Sequence, residues 1–121
     1  SAWLIARAEL LIAGDDRVPR VETLHALTRL TRERPGDWEA RCALGRLYLR
    51  EGVMQNAPLG EGLCQDAYRA SGEHPRAGLG LVEAMAAMGR VALARALCVR
   101  IATTGGAEGH AARAWLEEDL A

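Results

Sequence analysis

Apolar residues recur three and four positions apart along almost the whole chain, and Gly and Pro interrupt the recurrence at regular intervals. That period belongs to an α-helix with one face turned inward. The breaks fall at Gly14-Asp15-Asp16, Arg34-Pro35-Gly36-Asp37, Gly52 to Pro58, Gly72 to Pro75, Gly89 and Gly105-Gly106. They leave segments of ordinary helix length. The pattern predicts helices over residues 3–13, 19–34, 37–51, 58–71, 75–88, 90–103 and 107–120. The inward stripes are expected at Trp3, Ala6, Leu10 and Ala13 in the first, Val21, Leu24, Leu27 and Leu30 in the second, and Leu44, Leu47 and Tyr48 in the third. In the last three they are expected at Leu79, Val82, Met85 and Met88, then Leu93, Ala94, Leu97 and Ile101, then Ala111, Ala114, Trp115 and Leu120. Pro19 suits a first helical turn, where its missing N–H costs nothing, and Asp37 is a good N-cap. The fourth helix is the weakest of the set, because Gly60 and Gly62 each cost about 1 kcal/mol against Ala in a helix interior. The acidic end at Glu117 to Asp119 opposes the dipole of the last helix.

Composition sharpens the fold class. Half of the 121 residues are hydrophobic, aromatics are 4% and Phe is absent, so the apolar content is mostly Ala and Leu. Those are strong helix formers, and the fold class expected is all-α in a single domain. Charge then narrows the partners. Fifteen basic against sixteen acidic residues give a formal net of −1. A balance of that kind does not steer a molecule to nucleic acid or to an anionic membrane. Every basic residue is Arg, which fits the codon usage of a GC-rich, bacterial genome. No apolar run reaches the length of a membrane span. The chain starts at Ser1 and has no initiator Met, so it is read as a piece of a longer protein.

Candidate chemistry is sparse. Cys42, Cys64 and Cys98 are odd in number and lack C-x-x-C spacing, which argues against a disulfide framework or a zinc site. They read as small core residues, and free thiols fit a reducing compartment such as the cytoplasm best. His25, His74 and His110 have no partner four residues away, and no H-E-x-x-H is present. Gly78-Leu79-Gly80-Leu81 lacks the K-[ST] of a phosphate loop, and neither Ser1 nor Ser71 sits in a nucleophile elbow. The expectation is therefore no enzyme, no catalytic residues, no metal and no cofactor.

Internal repetition carries the rest. The helix-ending glycines Gly14, Gly52 and Gly89 are spaced by 38 and 37 residues. A helix pair that cannot bury its own face stacks on a neighbour, and repetition is the sequence sign of that solution. In the middle unit, Leu44-Gly45, Tyr48 and Gly52 follow a Leu-Gly pair, an aromatic three residues on and a Gly four further. Pro35 and Pro75 precede new helices, Trp3 lies eleven residues before Gly14, and Ala94 lies five after Gly89. In these features the chain resembles a degenerate tetratricopeptide repeat, most closely over residues 35–52. By the glycine register, Gly45 has as counterparts Arg7 and Val82, neither of them small, and the second helix of the middle unit is displaced by about six residues through Val53 to Leu59.

The resemblance implies a right-handed α-solenoid of about three helix-turn-helix units, near residues 1–35, 36–75 and 76–106, with a C-terminal helix at 107–121. It also implies a concave groove lined by the first helix of each unit. Carried over by the glycine register, the groove residues are Leu4, Ala8 and Leu11, then Glu39, Cys42, Arg46 and Leu49, then Arg76, Leu79, Glu83 and Ala86. Arg46 and Arg76 would be charged anchors, since a guanidinium binds a carboxylate bidentately. The family's carboxylate grip by Lys and Asn is not expected, because Lys is absent and Asn56 is the one Asn. The function implied is a protein–protein interaction module or scaffold holding a protein or peptide segment. The alternative is a structural spacer of a larger bacterial assembly protein, self-associating through its end helices.

Overall fold

The computed structural model describes residues 2–50, 52 and 54–120. Among them are seven α-helices and no strand: α1 (Ala2–Ile12), α2 (Arg20–Glu33), α3 (Trp38–Tyr48), α4 (Ala57–Ala70), α5 (Pro75–Ala87), α6 (Val91–Ala102) and α7 (Gly106–Glu118). The fold is all-α. No helix is long and apolar enough to cross a membrane.

Local chemistry sets the helix ends. The Asp37 carboxylate accepts from the Ala40 N–H at 3.1 Å, Asn56 Oδ1 from Leu59 at 3.2 Å and His74 Nδ1 from Arg76 at 3.1 Å. Each satisfies a donor that the first turn leaves orphaned. Pro75 follows His74 at the first position of α5. Gly14 and Gly89 stop α1 and α5 in the left-handed conformation, at φ of 96° and 77°. Their N–H groups, and those of Asp15 and Arg90 after them, donate back to the last turn. The predicted end of the third helix at Glu51, and Val53 in the following connection, lie outside the described residues.

Helices pack only on those one or two places away in chain order. α3 meets α1, α2, α4 and α5, and α5 meets α3, α4, α6 and α7. The odd-numbered helices touch in series, whereas α2, α4 and α6 do not touch one another. The core is correspondingly divided in two. One cluster joins α1, α2 and α3 through Ala8, Leu11, Leu24, Leu27, Ala43 and Leu47. The other joins α4 to α7 through Cys64, Leu81, Val82, Leu97, Cys98, Ile101 and Leu120.

Between the clusters α3 and α4 come into close contact at two glycines. A Cβ on Gly45 would lie 2.8 Å from Cys64 Sγ and 2.9 Å from the Gly60 carbonyl oxygen, and one on Gly60 would lie 2.7 Å from the Gly45 oxygen. The fourth helix thus forms despite its glycines, and Gly60 is required for the approach. Cys42 and Cys64 are both buried at this contact. Hydrogen bonding between the two thiols pushes the pKa of Cys64 up, with burial adding to it, and draws that of Cys42 down against the upward pull of burial.

Three inward stripes need correction. Trp3, Ala6, Leu10 and Ala13 are all exposed, and α1 buries Ala8, Leu11 and Ile12 instead. Helix α1 is apolar around most of its circumference, so periodicity could not choose its inner face. Val21 in α2 and Leu93 in α6 are exposed too, where α2 buries Thr23 and α6 buries Cys98.

Candidate functional site

The odd-numbered helices carry a ladder of ion pairs. Arg46 in α3 binds Glu83 of α5 bidentately, through Nε and Nη2 at 3.2 Å each. Its Nη1 donates to both carboxylate oxygens of Glu9 in α1 at 3.1 Å. Arg76 of α5 reaches Glu39 of α3 at 3.1 Å. All three pairs are separated by 37 residues. One position of the repeat therefore reads Glu, Arg, Glu across α1, α3 and α5, and another reads Glu, Arg across α3 and α5. Burial lowers the affinity of the Arg46 guanidinium for its proton, but the Glu83 and Glu9 carboxylates outweigh it and leave the pKa above the ordinary arginine value.

Trp38 opens α3 beside this ladder. His74 stacks against it with ring centroids 5.0 Å apart, and the Arg76 guanidinium lies 5.7 Å from its centroid. A narrow cavity of about 30 Å³ lies between α1 and α3, bounded by Ile5, Glu9, Trp38, Cys42, Arg46 and Arg76. A wider cleft of about 320 Å³ lies among the end of α3, α5 and α7, walled by Leu49, Arg50, Ala86, Ala87 and Trp115 together with the Arg46–Glu83 pair. Leu49 and Arg50 also border a hollow of about 560 Å³ that extends to Leu11, Ala13, Gly14 and Arg20. Arg50 is exposed and has no ion-pair partner among the described residues.

The expected groove residues divide by environment. Glu39 and Arg76 are exposed; Leu4, Arg46, Leu49, Leu79, Glu83 and Ala86 are half-buried. Ala8, Leu11 and Cys42 are in the core, although Leu11 shows an edge at the Arg20 side and Cys42 at the narrow cavity. The ladder fixes a register of 37 residues between α1 and α3, one fewer than the glycine spacing of 38. The α1 counterparts of Cys42 and Arg46 are therefore Ile5 and Glu9, and Ile5 and Glu9 do line the narrow cavity with them. The counterpart of Gly45 becomes Ala8, a small buried residue, rather than Arg7. Arg46 and Arg76 are occupied by carboxylates of this chain rather than held open as anchors. Residues that the sequence reading passed over are Ile5, Glu9, Trp38, Arg50 and Trp115, which line these cavities. The alternation of Glu and Arg at 37-residue steps was a legible signal for the first two.

Among the described residues no cluster of three His, Cys, Asp or Glu side chains is arranged to hold a metal ion. Comparison with family models, with curated proteins and with solved structures finds no match to the chain.

Proposed function

We propose that the chain is a degenerate tetratricopeptide-like array of helical hairpins that works as an interaction module, receiving a segment of a partner protein along the face made by α1, α3, α5 and α7. The observation that carries this reading is the 320 Å³ cleft, where Leu49, Ala86, Ala87 and Trp115 offer an apolar floor beside Arg50, which has no ion-pair partner among the described residues. Serial contact of the odd-numbered helices supports it, since that is how stacked hairpins generate an extended recessed face. The 37-residue repetition of the ion pairs supports the same stacking. The matching occupant is an extended or helical peptide with an apolar side chain set against Trp115 and a carboxylate within reach of Arg50. Arg46 and Arg76 hold adjacent helices in register in this reading, and Arg50 takes the anchoring role.

The test is selection of short peptides from a random display library on the immobilised chain, followed by calorimetric titration of the binders. Arg50→Glu and Trp115→Ala are expected to weaken binding tenfold or more each, a loss of about 1.4 kcal/mol. Peptides that bind the doubly substituted chain as well as the original would remove the cleft from the account.

A further inference from the structure

Two of the three cysteines meet where α3 packs on α4, and the cleft proposed above for binding uses neither. The two helices run antiparallel, because Leu49 meets Gly60 whereas Gly45 meets Gly60, Leu63 and Cys64. Cys42, one turn before Gly45, therefore faces Cys64, one turn beyond Gly60, and the two thiols are in hydrogen-bond contact. Glycines make room for both sulfurs. A Cβ on Gly80 would lie 2.8 Å from Cys42 Sγ, and one on Gly45 would lie 2.8 Å from Cys64 Sγ. In the register of 37 residues the neighbouring repeats carry Ile5 and Leu79 at the Cys42 position, and Leu27 and Ile101 at the Cys64 position. Branched apolar side chains thus serve packing on both sides, and the middle unit alone sets a thiol at both places.

Access separates the three thiols. Cys64 and Cys98 are fully buried, and Cys98 donates to the Ala112 carbonyl of α7 at 3.2 Å. Cys42 keeps 7% exposure and borders the narrow cavity of about 30 Å³, together with Arg46. One water needs on the order of 10–15 Å³ of such space, so the cavity admits a molecule of about two oxygen atoms and excludes bulky reagents. Hydrogen bonding with Cys64 favours the Cys42 thiolate most, and the Arg46 guanidinium adds to it. Together they outweigh burial and the Glu83 and Glu9 carboxylates, so this thiol ionises below its ordinary range, and the thiolate is the nucleophilic form. We propose that Cys42 and Cys64 are a site of oxidation by hydrogen peroxide, Cys42 receiving the oxygen and Cys64 closing a disulfide between α3 and α4.

The chemistry balances in two steps. The Cys42 thiolate attacks one peroxide oxygen; an S–O bond forms, the O–O bond breaks, and the departing hydroxide takes a proton to become water. The Cys64 sulfur then attacks the sulfenic sulfur; an S–S bond forms, the S–O bond breaks, and the second hydroxide leaves with the Cys64 proton as water. Two thiols lose two electrons and one peroxide becomes two waters. A disulfide needs Cα atoms within about 7 Å, whereas helices packed through ordinary side chains keep their axes about 8–10 Å apart. The Gly45–Gly60 contact, one turn away, brings these two backbones closer than that packing allows.

The test is to treat the reduced, folded chain with hydrogen peroxide and follow it by intact mass and peptide mapping. The expected product is a monomer lighter by about 2 Da, with Cys42 linked to Cys64 and Cys98 still a free thiol. Cys64→Ala is expected to gain oxygen at Cys42 instead, and Cys42→Ala to lose thiols at least about tenfold more slowly. Cys98→Ala is expected to cross-link as the original does. A bulky aromatic disulfide reagent, dithiobis(nitrobenzoate), is expected to leave Cys42 of the folded chain unmodified over the same time. In urea the same peroxide treatment should give a mixture of pairings that includes Cys98. The mapping of the unsubstituted chain stands whether or not a variant folds. A folded chain that keeps all three thiols, links Cys98, gives the same mixture as in urea, or reacts with the bulky reagent as readily as with peroxide would overturn the proposal.

Discussion

Gly45 and Gly62 offer a paired test of the packing between α3 and α4. Both sit inside helices, and Ala is favoured over Gly there by about 1 kcal/mol. Propensity alone therefore predicts that both Gly→Ala changes stabilise. Their surroundings differ. A Cβ on Gly62 meets nothing within 4 Å, whereas one on Gly45 meets Cys64 Sγ at 2.8 Å, the Gly60 oxygen at 2.9 Å and Leu63 Cβ at 3.1 Å. The Gly60 oxygen belongs to the α4 backbone and cannot swing aside. Relief requires α3 and α4 to part by roughly half an ångström, which loosens their contact and costs about 2–4 kcal/mol before the propensity gain. The net for Gly45→Ala is a loss of about 1–3 kcal/mol, and for Gly62→Ala a gain of about 0.5–1 kcal/mol. For a domain of this size each kcal/mol moves the melting temperature by about 3–6 °C. Calorimetric melting should show Gly45→Ala lowered by about 3–18 °C and Gly62→Ala raised by about 2–6 °C. Gly60→Ala should resemble Gly45→Ala, since its Cβ meets the Gly45 oxygen at 2.7 Å, and the double variant should cost less than the two single losses added. Equal gains at Gly45 and Gly62 would refute the close approach of α3 to α4.

Three further outcomes follow from single side chains. Glu61 is 7% exposed, with Oε1 on Arg90 at 3.0 Å and Oε2 without a hydrogen-bond partner, and it occupies the repeat position of Leu24 and Cys98. Arg90 is half exposed and rehydrates readily, so Glu61→Leu should raise stability by about 1–2 kcal/mol in urea unfolding; a loss of that size would show that the ion pair outweighs the stranded oxygen. Arg46→Met leaves Glu9 and Glu83 facing each other without a cation, and should cost about 1–3 kcal/mol at neutral pH, measured the same way. Removing Asp37 as N-cap by Asp37→Ala should cost about 1 kcal/mol; an unchanged midpoint would mean the Ala40 N–H finds water equally well.

Much of the architecture was legible because several helices begin or end on a local signal. The left-handed turns at Gly14 and Gly89, Asp37, and the His74-Pro75 pair act within a few residues, and a sequence displays such chemistry directly. What the sequence hid depends on pairs of surfaces. Helix α1 is apolar on most sides, and which side is inner is decided by α2 and α3 rather than by its own spacing. The register between repeats was misjudged by one residue in α1 because glycines mark where helices stop, not where side chains meet. Arg46 and Arg76 looked like open anchors since nothing local reveals a carboxylate 37 residues away. Glu61 reads as an ordinary surface residue until the register sets it beside Leu24 and Cys98.

The same register explains how a chain of near-zero net charge uses its ions. Positions 9, 46 and 83 lie at one level of three neighbouring helices, and the charges there alternate. Sliding α3 by one turn, about 5.4 Å, against either neighbour would take Arg46 away from a carboxylate and leave a half-buried guanidinium unpaired. Apolar contacts among Ala, Leu and small residues tolerate such slippage far better, since Leu meets Leu again a turn later. The ladder therefore selects one stagger of α1, α3 and α5, and with it the depth of the cleft at Leu49, Ala86 and Trp115. Arg50, one turn beyond Arg46, meets no such carboxylate among the described residues, and it lines the cleft. Ion pairing at one level, and its lack among the described residues at the next, separate the part of this face that holds helices together from the part where the cleft lies.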